Sequence, residues 1–250
     1  MKLLIFAESG VSMTSFIRRT LSSTLAIAAV STSLFGSIAV LPALALPPEQ
    51  IEAKLTNVPA YVLGTEQGLL LLPTGQSAES DPGLYVFLSE EQAKGFVAKA
   101  AEANPEFAAT IEIKLTSLEK LYKESQTRTE QPLRLIYIPE ESEANQAAQL
   151  NAEYKGGVPL FYAQFEDGSL APVEENGKPT FPMFFSYNDL NLILNELGQR
   201  NPEARAAISI GVLPLEFVIA EMQTREEEMF NQIRLLPDSE VIQNINNGQS

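Results

Sequence analysis

The decamer NPEFAATIEI, Asn104 to Ile113, returns as NPEARAAISI, Asn201 to Ile210, 97 positions later with six of ten residues identical. A repeat of this length restricts the chain to architectures built twice from one supersecondary unit. The flanks repeat with it. Val58-Pro59 opens an apolar run, AYVLG, closed by Glu66-Gln67-Gly68, and Val158-Pro159 opens LFYAQF, closed by Glu166-Asp167-Gly168. Glycine supplies the positive φ that such turns need, so both segments read as β-hairpins. LYVFLS (84–89) then aligns with FPMFFS (181–186), each an apolar strand ending in Ser. Ser89 with Gln92 three residues on makes a capping box, and Ser186 with Asp189 a weaker one.

The following helices share a face. Ala93, Phe96, Val97 and Ala100 lie at i, i+3, i+4 and i+7, and Leu190, Ile193, Leu194 and Leu197 repeat the stripe at an offset of 97. Such a stripe faces a core. Asn104-Pro105 and Asn201-Pro202 are expected to stop both helices, because Asn tolerates the left-handed conformation and Pro cannot continue a helix. Strands ATIEIKL and AAISIGV follow. Second helices come next, with Leu118, Leu121 and Tyr122 matching Leu215, Val218 and Ile219. The strands LRLIYIP and NQIRLLP and the amphipathic segments EESEANQAAQL and DSEVIQNI complete each copy. The run from Lys123 to Gln131 is expected to be an exposed loop, and EMQTREEEMF a solvated acidic helix face.

The pattern predicts an α+β fold of two pseudo-symmetric halves, each a small mixed β-sheet covered by helices. The divisions expected are 1–45 as a signal peptide, 46–155 as the first half and 156–250 as the second. In the first segment Arg18 and Arg19 precede a charge-free apolar run ending in Ala43-Leu44-Ala45. Cleavage is expected between Ala45 and Leu46, with Ala43 and Ala45 as the small residues before it. Met13 offers an alternative start, and an uncleaved anchor is the alternative fate of the apolar run. Export is the localisation expected, to the periplasm and in addition a thylakoid lumen.

With no His and no Cys among 250 residues, the commonest general base, the thiol nucleophile, disulfides and the soft metal ligands are all missing. No metal site, cofactor or catalytic residue is expected. The formal net charge of −15 disfavours nucleic acid and anionic lipid as partners. Beyond residue 45 the chain carries 14 basic and 31 acidic residues. Glu106 and Glu203 hold equivalent places in the repeat and form a symmetric carboxylate pair that suggests acid–base chemistry; their position after a helix-stopping Asn-Pro favours a solvated, architectural role.

GGVPLFYAQFEDGSL is similar to the thioredoxin segment in which a cis-proline strand pairs with a second strand, so Val58-Pro59 and Val158-Pro159 are candidate cis bonds. Without cysteine, a module of that kind would be redox-dead and would serve only for binding. A broader resemblance runs from about Ile51 to Ile245. VPAYVLGTEQG, GLYVFLSEEQAKGFV, NPEFAATIEIKLTSLEKLY, GGVPLFYAQFEDG, FPMFFSYNDLNLIL and IGVLPLEFVIAEM, in that order and duplicated, resemble the Tic twenty-two-like family, named after a soluble component of the translocon at the chloroplast inner envelope. The resemblance implies paired α+β halves with apolar pockets and a non-enzymatic role in protein transport. For a chain with a bacterial-type signal it implies the cyanobacterial branch, and assistance to outer-membrane protein biogenesis as a periplasmic chaperone.

The partners so implied are unfolded or partly folded proteins, outer-membrane β-barrel precursors and their assembly machinery, with no stable membrane insertion after signal cleavage. A chaperone needs apolar surface rimmed by charge. The candidates for it are Tyr61, Tyr85, Phe87, Phe161, Phe184, Leu192 and Phe217, with Phe185 beside them on the paired strands. Phe217 lies one position off its helix's apolar stripe where the first half has Lys120. Each of these has an ordinary reading as a core residue, and alternation puts only half of the strand aromatics on one face. The alternatives are a structural adaptor docking on an assembly machine, or a hydrolase working through Glu106 and Glu203.

Overall fold

The computed structural model describes residues 2–3, 46–74, 81–128 and 132–248. The Arg18-Arg19 pair, Met13, Ala43 and Ala45 lie outside the described residues.

Two sheets of equivalent topology dominate. In the first half the strands are β2 (Pro59–Thr65), β3 (Gly68–Leu69), β4 (Leu71–Pro73), β5 (Pro82–Phe87), β6 (Glu112–Ser117) and β7 (Leu135–Tyr137). Its backbone order is β6-β2-β5-β7, antiparallel except for the parallel β5·β7 pair. The second half has β8 (Pro159–Phe165), β9 (Val173–Glu175), β10 (Lys178–Phe184), β11 (Ile208–Pro214) and β12 (Ile233–Leu236). Its order is β11-β8-β10-β12, again with one parallel pair at β10·β12. Register follows the repeat: Tyr61 sits opposite Phe87, and Phe161 opposite Phe184. A two-residue strand, β1 (Lys2–Leu3), runs antiparallel to β9.

The helices of the first half are α1 (Pro48–Leu55), α2 (Glu90–Ala103), α3 (Pro105–Ala108), α4 (Leu118–Thr127) and α5 (Glu141–Leu150). Those of the second are α6 (Tyr187–Arg200), α7 (Pro202–Ala206), α8 (Leu215–Thr224), α9 (Glu228–Gln232) and α10 (Ser239–Asn246). Ser89 accepts from Gln92 N and Ser186 from Asp189 N, so both expected caps form. Gln92 also reaches back to accept from Leu88 N at 3.2 Å.

The repeated decamer does something other than a plain helix stop. Asn104 and Asn201 both sit at φ −148°, which is not the left-handed conformation expected of them. Each closes one helix through its backbone N–H, to Ala100 O and Leu197 O. Each then caps the next, its side chain accepting from Phe107 N at 3.1 Å and Ala204 N at 3.0 Å. Pro follows at the first helical position, where its missing N–H costs nothing. N-P-E is therefore a corner between two helices, used twice, before the edge strands β6 and β11.

Two further expectations are corrected. Lys123–Thr127 is helical, continuing the stripe of Leu118, Leu121 and Tyr122, with the hydroxyls of Ser125 and Thr127 bonding back to Tyr122 O and Lys123 O; residues 129–131 lie outside the described ones. EMQTREEEMF is a solvated face only in part: Gln223, Thr224, Glu226 and Glu228 are exposed. Met222, Met229 and Phe230 drive into the core at 1%, 6% and 2% exposure, while Arg225 binds Glu221 and Glu227 above them.

The largest apolar core draws on both halves. The inner faces of the sheets contribute Ala60, Val62, Leu160 and Tyr162, and α1, α4, α8 and α9 fill the space with residues such as Ile51, Leu121, Val218 and Phe230. Two smaller clusters lie on the outer faces. Tyr61, Leu63 and Phe87 pack beneath α2, and Phe161, Ala163 and Phe184 beneath α6. The closing helices cross over. α5, from the first half, lays Ala147 on the outer face of the second sheet, and α10, from the second half, brings Val241 to the outer face of the first.

Candidate functional site

The sequence-predicted aromatics divide by depth. Tyr61, Phe87, Phe161 and Phe184 are core residues at 3%, 0%, 0% and 4% exposure, and Phe185 is buried on the inner face. The reason is that helices cover both faces of the central strands, so neither set of alternating side chains meets solvent. Tyr85 is half-buried, its ring centroid 5.5 Å from that of Phe96 in an edge arrangement and its hydroxyl donating to Pro73 O. Phe217 is half-buried against the central core. Leu192 alone of the seven stands clear, 63% exposed on α6. The seven candidates thus do not converge on one open surface. Sequence reasoning missed Leu69 and Leu71, 38% and 41% exposed on the β3–β4 segment, and Leu115, 46% exposed on the edge strand β6. The signal for Leu69 and Leu71 was the apolar run LLLL, continued past a turn where the second half has the more polar SLAP; Leu115 had none.

Glu106 and Glu203 are exposed in the first turns of α3 and α7. Among the described residues no group of three acidic side chains is placed to hold a metal. No cis peptide occurs among them either, so Val58-Pro59 and Val158-Pro159 are trans and the thioredoxin-like feature is lost. The Glu-Asp-Gly turn is a hairpin as expected. Asp167 accepts from Ser169 N at 2.9 Å and Ser169 Oγ at 2.6 Å, and Gly168 takes φ 81°.

Two of the perturbed ionisable groups, Glu143 and Lys54, bridge the halves. Burial pushes the Glu143 carboxyl up to about 7, against the hydrogen bond from Tyr187 N and with help from Glu140, Asp238 and Asp189. It joins α5 of the first half to the first turn of α6 in the second at 3.1 Å. Burial brings the Lys54 ammonium down to about 8, while Lys54 Nζ donates to Asn231 O at 3.0 Å and Ile233 O at 2.9 Å across the halves. Burial also raises Glu216, which accepts from Val158 N at 3.1 Å and fixes the entry to β8. Gly157, at φ 89°, leaves room for that carboxylate: a Cβ there would lie 2.7 Å from Glu216 Oε2. Tyr137 is raised by burial and by Glu216 and Tyr122. Lys54, Glu143 and Glu216 each bond a backbone group of the fold, which gives their burial a structural reason.

The chain matches the Tic22-like family model over residues 7–247. It belongs to the Tic22-like family. Among solved structures it is similar to Anabaena Tic22, a protein-transport protein, at 23% identity and a TM-score of 0.66, with 81% of this chain and 97% of that one covered. It is also similar to Tic22 from Plasmodium falciparum, at 19% identity and a TM-score of 0.61, covering 80% and 99%. At these identities the likeness fixes the α+β fold. No curated protein matches the chain. No helix among the described residues is long and apolar enough to cross a membrane.

Proposed function

We propose that this protein is a non-enzymatic protein-transport factor that binds apolar segments of unfolded clients, acting as a periplasmic chaperone in outer-membrane protein biogenesis. The observation that carries the reading is membership of the Tic22-like family over nearly the whole chain, taken with protein transport as the role of Anabaena Tic22. Physical support comes from surface composition. Leu69, Leu71 and Leu115 stand on the first sheet of a molecule with formal net charge −15, so apolar contact is offered while self-association is opposed. The same charge would hold acidic sequences away and favour neutral or basic apolar segments. The test is aggregation of an urea-unfolded outer-membrane barrel diluted into buffer. Stoichiometric protein is expected to suppress light scattering; unchanged scattering overturns the reading. Crosslinking in the periplasm is expected to recover barrel precursors, and recovery of assembly machinery alone would point instead to an adaptor.

A further inference from the structure

Leu46, where the chain is expected to begin once the signal peptide is removed, is fixed from both sides. Pro47 and Pro48 follow it, locking two φ angles and restricting Leu46 itself. They lead into α1, which is anchored by the buried Ile51 and Leu55. The Leu46 side chain packs against the central core, and Leu46 N donates to Met222 O at 2.9 Å. That carbonyl is one of the last four of α8, which have no partner inside the helix. Glu221 O takes Arg225 N, the backbone turns extended at Arg225 (φ −121°, ψ 139°), and the next carbonyl goes to Leu46. Beside this contact lies a cleft of about 280 Å³, lined by Leu46 together with Glu226, Glu227 and Glu228. Arg225, on the same cleft, is engaged by Glu221 and Glu227, and Lys54 by Asn231 O and Ile233 O. On α1, Glu49 is exposed in the first turn and Glu52 pairs with Lys123. A positive charge placed on the Leu46 nitrogen therefore meets the negative end of α8 and a surplus of carboxylates.

We propose that the α-ammonium group freed by cutting the chain before Leu46 is a built part of the fold, docked on Met222 O at the C-terminal end of α8, with the glutamates of the neighbouring cleft beside it. The inference rests on the cleavage expected between Ala45 and Leu46, and not on the chaperone reading. Hydrolysis of that bond adds the hydroxyl of water to the Ala45 carbonyl carbon and its hydrogen to the Leu46 nitrogen. The new carboxyl group then gives up a proton, and the new amine takes one up. Before the cut, Leu46 N is a neutral amide whose one hydrogen is given to Met222 O. After it, the same nitrogen carries three hydrogens and a charge, so that bond becomes charge-assisted and two donors are added. Half-burial at Leu46 reduces screening of the charge by salt. Removal of the signal peptide thus completes the structure, and the precursor is the less stable form. The ammonium is held protonated above the ordinary α-amino value of about 7.7–8.0. Its contribution to stability is therefore fully present below that value and is lost as pH rises through the higher, folded one.

The test compares the exported chain beginning at Leu46 with two forms that keep an N–H for Met222 O but carry no charge there. One is extended by Ala43-Leu44-Ala45; the other is carbamylated by cyanate at its α-amine while unfolded, then refolded. In urea unfolding at about pH 6, the folding constant of the Leu46 form is expected to exceed that of either by at least about tenfold, the equivalent of one pKa unit. At about pH 10.5 the three are expected to coincide, because the groups they share titrate alike in all of them. Competitive acetylation of the α-amine, read by mass spectrometry of the N-terminal peptide, is expected to place its midpoint at least about one pH unit higher in the folded chain than in urea. Equal stability of the three forms at pH 6, or an α-amine that titrates alike folded and unfolded, overturns the inference. So does a tenfold difference that persists at pH 10.5, since bulk rather than charge would then be its cause. If both modified forms fail to refold, the titration of the α-amine decides alone. Intact mass of the exported chain checks the cut itself; a first residue other than Leu46 overturns the inference and leaves the chaperone reading untouched.

Discussion

At the scale of single residues, the repeat is most informative where its copies differ. Gly211 on β11 lies opposite Tyr162, and a Cβ built on it would meet that ring at 2.4 Å. The corresponding residue of the first half is Lys114, opposite Val62, so the glycine belongs to the aromatic beside it rather than to the fold. Gly211→Ala is expected to cost about 1–3 kcal/mol through overpacking, read from urea midpoints; in a Tyr162→Val background, where the ring is gone, the same change should cost much less. Glu143 is the second case, at the place where α10 has Val241. Its folded carboxyl titrates near 7, above the ordinary carboxylate range, so the folded protein holds a proton that the unfolded chain has lost. Its contribution to stability is therefore fully present below about pH 4.5 and is lost as pH rises through 7. Glu143→Gln keeps an acceptor for Tyr187 N and removes the titration. The variant is expected to gain stability over the parent between pH 5 and pH 8 in thermal melts, and an equal difference at both pH values would exclude the effect. Neither feature was legible in the sequence. A glycine in a strand and a glutamate in an amphipathic helix have many ordinary readings, and only the partner across the fold selects one.

At the scale of elements, most of the architecture was legible because local pattern and tertiary environment agree. The hairpins announced themselves by Gly after an apolar run, the main helices by their stripes, and the caps by Ser89 and Ser186. The N-P-E corner was misread for a physical reason: Asn is competent both to end a helix in the left-handed conformation and to begin one by side-chain capping. The structure uses the second property. Replacing Asn104 or Asn201 by Ala is expected to cost about 1 kcal/mol each, with the double variant near the sum, since the two corners cap separate helices. A strongly sub-additive double variant would mean that the corners are coupled. The candidate site was less legible than the fold. Alternation along β2 and β8 separates the aromatics onto two faces without saying which is covered; α2 and α6 cover the outer faces and the shared core the inner ones, so Tyr61, Phe87, Phe161 and Phe184 take their ordinary reading as core residues.

At the scale of the whole molecule, the repeat boundary near Gly156-Gly157 divides the sequence without dividing the core. Val158, Leu160, Met183, Leu213 and Leu215 share one apolar cluster with Ile51, Val62, Leu84, Leu118 and Leu121. Polar ties run the same way: Lys54 to Asn231 O and Ile233 O, Gln223 to the Tyr122 hydroxyl at 3.0 Å, and Leu46 N to Met222 O at 2.9 Å. Separating the halves would also strip α5 from the sheet it covers. Each buried Leu, Ile or Phe returned to water costs about 1.5–3 kcal/mol, so uncovering only five of them consumes the 5–15 kcal/mol that holds a typical domain together. The full chain is therefore expected to unfold in urea in one transition, with far-ultraviolet dichroism and tyrosine fluorescence coincident. Residues 46–155 and 156–250 expressed singly are expected to show no cooperative transition, while the two mixed should recover one. A cooperative transition in either half alone would mean that its own sheet and helices suffice, and would return the central cluster to the status of an interface between finished domains. The ties at Lys54 make the distinction sharper. Lys54→Met removes donors to two carbonyls that belong to the other half; in a single cooperative unit it lowers the one midpoint seen by both probes, whereas in two docked domains it would leave their separate midpoints in place and only loosen the contact between them.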